Sequence, residues 1–187
     1  AEMCLTKLVT AERTNAPEAI VVSLLQRTNS HFERALRDAK IRHEVIGMRG
    51  ALDLPRAITF LARLIRTERP DCVQGWLYYG DLIATLGLLL SGKRTHTRLY
   101  WGIRCSDLDV ARYGRQLKIA IRACKNLSRV PNSIIANSFA GRDAHEKLGY
   151  QRDKLAVVHN GVDVDLFTPM PVEGSNFASD LQLSSER

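Results

Sequence analysis

The sequence predicts an α/β fold: a Rossmann-like parallel sheet with helices on both faces. Three observations carry that prediction. Short β-branched runs alternate with longer segments of helical period, the pattern of βαβ units with right-handed crossovers. The 187-residue chain is the size of one ordinary domain, long enough to bury a real core. Its 45% apolar and 25% charged residues match globular usage and argue against a disordered chain.

The elements follow in order. AEMCLTKLV reads as a helix with no strand ahead of it. A doubly wound sheet normally begins with a strand and a glycine-bearing turn, so the first strand is expected to be missing. AIVVSLL (19–25), bounded by Pro17 and Thr28-Asn29-Ser30, reads as a buried strand. SHFERALRDA starts with Ser30 and Glu33 at capping-box spacing and sets Phe32, Ala35, Leu36 and Ala39 on one helical face. HEVIGM (43–48) is a second short strand. DLPRAITFLARLIRTE repeats Leu54, Ile58, Leu61 and Ile65 at helical spacing, with Asp53 as the expected cap.

The scheme then repeats. DCVQGW (71–76) is a strand, with Cys72 read as a small buried hydrophobe, and YGDLIATLGLLLSG is a helix closing near Gly92. TRLYWGIR (97–104) is a strand and RQLKIAIRACKNLS a basic amphipathic helix. SIIANS (133–138) feeds the helix FAGRDAHEKLGY, stopped by Gly149, and LAVVH (155–159) is the last strand. The tail PMPVEGSNFASDLQLSSER reads as a linker, so the sequence looks truncated at both ends.

The formal charge of +7 is uneven: Lys93 to Arg129 holds ten Lys/Arg against Asp107 and Asp109. Such a stretch suits a phosphate-bearing substrate, an acidic membrane surface or nucleic acid, or is simply a solvated face. Four scattered cysteines without a CxxC pair argue against a zinc site or a disulfide scaffold, and reduced thiols fit a cytoplasmic protein. No apolar run reaches the ~20 residues of a membrane-spanning helix, so the expected protein is soluble or at most peripheral. GxGxxG after a strand, GxxxxGK[ST], HExxH and GxSxG are all missing, which removes support for a nicotinamide dehydrogenase, a P-loop ATPase, a zincin and an α/β hydrolase.

Open parallel sheets bind ligands outside the carboxyl ends of their strands. The polar and aromatic residues at those ends are Trp76, Tyr78, Tyr79 and Asp81, then Arg104, Ser106, Asp107 and Asp109. Asn137 with Ser138, and His159, Asn160, Gly161 and Asp163, complete the set. Arg104 suits a phosphate or carboxylate, and Asp107 suits sugar hydroxyls; the alternative is a local Asp–Arg pair with Asp107 capping a turn. Asn137 and Ser138 sit where a helix is capped or an anion bound. Asn160-Gly161 is expected to supply positive φ in a tight turn, with the glycine admitting a close neighbour. The three aromatics could stack on a sugar or pack the core.

ANSFAGRDAHEKLGYQRDKLAVVHNGVDVDLFTP resembles the close of the N-terminal domain in family-4 retaining glycosyltransferases of the GT-B fold. RPDCVQGWLYYGDLIATLGLL and WGIRCSDLD are similar to the middle of that domain in bacterial members acting on cell-surface polysaccharides. The resemblance implies an acceptor-side domain over residues 1–170. Residues 171–187 would be a linker toward a C-terminal nucleotide-sugar-binding domain that the sequence does not contain. It implies a nucleotide-sugar substrate rather than a cofactor, no metal, and a glycan or lipid-linked acceptor. Glu2 would open the first helix after the family's glycine-rich loop. Arg104 stands where many relatives carry histidine, and Asn160, Gly161 and Asp163 would face the interdomain cleft. Catalytic residues are not identified. A non-catalytic glycan or phosphosugar-binding module is the alternative; a nucleic-acid partner is disfavoured because aromatics do not interleave with the basic run.

Overall fold

The computed structural model describes residues 2–10, 18–26, 31–105 and 113–161. Helix α1 (Glu2–Thr10) leads to β1 (Ile20–Ser23), α2 (His31–Asp38) and β2 (Arg42–Val45). A 3-10 turn (Ala51–Asp53) opens α3 (Leu54–Glu68), followed by β3 (Cys72–Trp76), α4 (Leu77–Ser91) and β4 (Arg98–Ile103). Then come α5 (Arg115–Leu127), β5 (Ser133–Ala136), α6 (Phe139–Leu148), a 3-10 turn (Arg152–Lys154) and β6 (Leu155–Val157).

Each described strand pairing is parallel, and the helices cover both faces in a Rossmann-like half of a GT-B fold. The strands are shorter than the apolar runs suggest, because pairing stops where the chain turns into each loop. The described strands form two sheets, β1–β2 and β3–β4–β5–β6, where one continuous sheet was expected. A small core of Ile46, Ala57 and Ile83, with Val22, Ile58 and Leu61 against it, joins the β1–β2 pair to helices α3 and α4.

Helix α4 organises the larger core. Nine of its residues are buried, Leu82, Ile83, Ala84 and Leu88 among them. A helix apolar all round belongs inside a domain, and at 15 residues α4 is shorter than a bilayer span. Gly87 lets it approach α3: a Cβ there would lie 3.1 Å from Leu61. Below it, Trp101, Leu99, Ile103 and Ile134 of the sheet are fully buried. Burying each such side chain stabilises the fold by about 1.5–3 kcal/mol. Trp101 Nε1 donates to Thr85 Oγ1 at 2.9 Å, and that hydroxyl donates to the Asp81 carbonyl at 2.7 Å, so neither polar group is stranded.

Helix ends follow the sequence in part. Gly92 and Gly149 close α4 and α6 in the left-handed region, at φ 70° and 92°, where glycine carries no Cβ penalty. Arg69 does the same for α3 at φ 49° although it is not glycine, with Pro70 directly after. Asp53 is not the side-chain cap it was expected to be: its Oδ2 accepts the Arg49 N–H at 2.7 Å and tightens the preceding turn. Cys72 is exposed, because it begins β3 at the sheet rim; Cys124 is the buried cysteine. Ser30 lies outside the described residues.

The tightest contact is between β3 and α4. A Cβ on Gly75 would lie 2.5 Å from both Asp81 Cα and Oδ1. Asp81 is wholly buried, its Oδ1 accepting the Gly102 N–H at 3.3 Å while Oδ2 has no partner. Burial holds this carboxyl protonated, far above the ordinary carboxylate range.

Two predictions follow from this contact. Gly75→Ala has no room for its methyl and lowers stability by about 1–3 kcal/mol or more, read as a shift of the urea midpoint. Gly80→Ala, whose methyl would meet nothing closer than 3.8 Å, leaves stability unchanged or raises it by up to ~1 kcal/mol. For Asp81, the unfolded chain ionises above pH ~4 while the folded chain keeps its proton. Rising pH therefore disfavours the folded wild type. Asp81→Asn keeps the acceptor and removes this penalty, so its advantage grows by up to about 1.4 kcal/mol per pH unit above pH ~4. Parallel stability profiles for the two proteins between pH 4 and 8 would refute an Asp81 held neutral.

Candidate functional site

Strand register places the carboxyl ends of β3 to β6 side by side: Trp76 pairs with Gly102, Ile103 with Ala136, and Ala136 with Val157. The residues that follow each end therefore share one edge, and the polar groups meet there.

Arg104 is the centre. Its guanidinium carbon lies 4.4 Å from the centroid of the Trp76 ring, and its Nη1 donates to Asn160 Oδ1. This joins the loop after β4 to the loop after β6 across 56 residues of sequence. Stacking on indole is worth about 0.5–2 kcal/mol and fixes the plane of the fork. The Arg104 Nε is buried with no partner among the described residues.

The start of α6 forms the second wall. Ser138 caps it, its Oγ accepting the Gly141 N–H at 3.0 Å. Gly141 admits the loop after β4: a Cβ there would lie 3.1 Å from the Cys105 carbonyl oxygen. The Asn137 Oδ1 is buried beside this contact, 3.7 Å from the same Cβ position, with no partner among the described residues. Phe139 is 57% exposed, with His159 edge-on at 5.4 Å and Arg142 over its ring at 5.2 Å.

Beneath the edge, α6 is tied to α4. His145 Nδ1–H donates to the Gly141 carbonyl at 2.7 Å, which leaves Nε2 to accept the Tyr78 O–H at 3.0 Å. Burial lowers the His145 pKa and keeps the imidazole neutral, while it raises the Tyr78 hydroxyl. His145 and Tyr78 are thus a positioning pair beneath the site.

Of the residues singled out from sequence, Arg104, Asn137, Ser138, Asn160 and Gly161 collect at this edge. Ser106, Asp107, Asp109 and Asp163 lie outside the described residues, as does the Glu2 side chain. One expectation is corrected: Gly161 is not in the left-handed region, and among the described residues a Cβ there would meet nothing within 4 Å. Tyr78 and Asp81 face the core and not the cleft. Trp76 carries the Arg104 guanidinium on its ring.

Sequence reasoning missed two features. Phe139 and Arg142 were unremarked, although Phe139 directly follows the Asn137-Ser138 junction. Leu77 joins β3 to α4 with no loop, at φ 63°, and no glycine marks that elbow. Among the described residues no group of three or more His, Cys, Asp or Glu is placed to hold a metal ion. No helix among them is long and apolar enough to cross a membrane.

The likeness to known proteins is consistent with this frame. Anabaena Alr3699/HepE, solved with UDP, superposes at a TM-score of 0.71 with 18% identity over 97% of this chain and 46% of that one. Its complex with UDP-glucose gives 0.68 and 17%, over 98% and 46%. The S. aureus MnaA–UDP structure gives 0.51 and 16%, over 84% and 40%. This chain thus spans less than half the length of each, and at such identities the likeness shows the fold alone. A comparison with curated protein sequences gives no match. The family model for Glycosyltransferase Family 4, however, matches residues 14–166, and the chain belongs to that family.

Proposed function

We propose that the chain is the acceptor-side domain of a nucleotide-sugar-dependent glycosyltransferase. The enzyme moves a sugar, a hexose in this reading, to a hydroxyl of a glycan or lipid-linked acceptor of bacterial cell-surface polysaccharide synthesis, with retention. The observation that carries this reading is the Arg104 cluster at the carboxyl edge of a family-4 sheet, where an oriented guanidinium holds Asn160, while the neighbouring strand end carries an Asn137 oxygen with no partner among the described residues. An arginine fork suits phosphate oxygens, and side-chain amides suit sugar hydroxyls. Catalysis is then chiefly positioning and stabilisation of the leaving diphosphate.

Ser106, Asp107, Asp163 and Glu2 would complete the binding edge. Residues 1–170 would bind the acceptor, and residues 171–187 would lead to a domain that binds the nucleotide sugar. UDP and UDP-glucose in the HepE structures support a nucleotide-sugar partner. The basic stretch from Lys93 to Arg129 would face an anionic membrane at the cytoplasmic surface.

The test is transfer of labelled sugar from nucleotide-sugar donors by the enzyme comprising this chain and a donor-binding domain. Arg104→Ala lowers kcat/KM at least about tenfold, a loss of ~1.4 kcal/mol of transition-state stabilisation. Trp76→Leu lowers it less, because the guanidinium remains but loses its platform. The 187-residue chain alone binds acceptor without consuming nucleotide sugar. Acceptor binding by the longer protein without transfer from any nucleotide sugar would leave a glycan-binding module.

A further inference from the structure

One aromatic at the carboxyl edge serves neither core. Phe139 is the first residue of α6, directly after the Ser138 cap. It stands outside both buried clusters, and 57% of its surface is open. A first helical turn favours proline or an acidic side chain, so the helix start does not call for a phenylalanine either.

The ring is held all the same. His159, from the loop after β6, meets it edge-on with centroids 5.4 Å apart. Arg142, one helical turn on, sets its guanidinium carbon 5.2 Å from the ring centroid. Arg142 is itself fixed by Asp143, its Nη2 lying 2.7 Å and its Nε 2.8 Å from Oδ1. That pairing balances the Arg142 charge, so the ring carries no cation reserved for an anion.

His159 leads directly to Asn160, which is exposed and gives its Oδ1 to Arg104. The exposed imidazole and the Asn160 amide N–H groups are therefore polar neighbours of a fixed apolar ring. Aromatic faces attract polarised C–H groups, and binding sites combine such faces with a few polar groups that set orientation. A pyranose ring has the matching form, with C–H bonds on one face and hydroxyls round its rim. A hydrocarbon chain, by contrast, would have to lie across Arg142, His159 and Asn160.

We propose that Phe139 is a specificity-determining residue for the acceptor: the C–H face of an acceptor pyranose stacks on its ring, and His159 and Asn160 bond the hydroxyls at the rim. The proposal deepens the acceptor-side reading above and rests on it. It makes the group recognised here a sugar, whatever the sugar is attached to.

The test is saturation-transfer NMR on the 187-residue chain with methyl glycosides of glucose, galactose, mannose and N-acetylglucosamine, and separately with decyl phosphate. At least one glycoside binds, and the C–H protons of one ring face saturate most strongly. Phe139→Leu weakens that glycoside at least about fivefold, the loss of one aromatic contact, and Phe139→Tyr binds it like the wild type. Thermal unfolding of both variants stays within about 2 °C of the wild type, because the side chain is exposed.

Binding of none of the glycosides overturns the proposal, and so does equal affinity of the wild type and Phe139→Leu. Decyl phosphate binding that Phe139→Leu abolishes, without glycoside binding, overturns the sugar assignment in favour of a lipid chain. No nucleotide sugar enters this experiment. Glycoside stacking in a longer enzyme that transfers nothing would sink the transferase reading alone, whereas transfer indifferent to Phe139 would sink this proposal alone.

Discussion

The close approach of Asp81 to Gly75 is the constraint on which the rest depends. Strand β3 passes into α4 at Leu77 without a loop, so the first turn of the helix lies back on the strand it has just left. That packing leaves no space for a side chain at residue 75. The neighbouring strand is close as well, a Cβ on Gly102 lying 3.2 Å from the Gly75 carbonyl oxygen. With glycine at 75 the helix can sit low over β3. Its position then fixes Trp76 at the strand end, and Trp76 fixes the plane of Arg104. The positive φ at Leu77 is the local cost, about 1–2 kcal/mol for a residue with a side chain, and the apolar burial along α4 offsets it.

The same packing explains why two titratable groups are buried. Asp81 cannot leave the interface without breaking the contact with Gly75, and His145 links α6 to α4 through Tyr78. Both persist in the neutral form, for which the desolvation cost is lowest. They impose opposite pH dependence. Ionising Asp81 is resisted as pH rises, whereas protonating His145 is resisted as pH falls below the ordinary histidine range. Stability is therefore limited from both sides by groups that take no part in ligand contact and hold the elements bearing the site.

The helices were legible in the sequence because they carry apolar residues at helical period or, in α4, an unbroken apolar run, with Gly92, Gly149 and Ser138 marking ends of α4 and α6. The split into two sheets was not, since a β-branched run shows that a strand exists but not what it pairs with. The edge positions of Arg104, Asn137 and Asn160 were legible because strand ends in a parallel sheet share an edge. Which of the edge residues turn inward was not. Tyr78 and Asp81 are one and four residues past the Leu77 elbow, and helical rotation directs both into the core. Cys72 was misread for a related reason: its apolar neighbours belong to β3, but it stands at the first, exposed position.

The charge of the chain also looks different once its arginines are placed. The net +7 suggests a broad anionic partner, yet several cations satisfy carbonyls that their own fold leaves open. Arg66 donates to the Leu90 and Ser91 carbonyls at the end of α4, and Arg94 to the Val130 carbonyl beyond α5. Leu90 and Ser91 are helix-terminal acceptors, where a cation also meets the negative end of the helix dipole. Arg56 serves the carbonyls after β2 in the same way. A summed charge therefore overstates what is available to a ligand. Arg104 differs from these in being oriented by Trp76 and Asn160, with its Nε unpartnered among the described residues. It stands at the carboxyl edge of parallel strands, so affinity for an anionic ligand there depends on one placed guanidinium more than on the excess of basic residues.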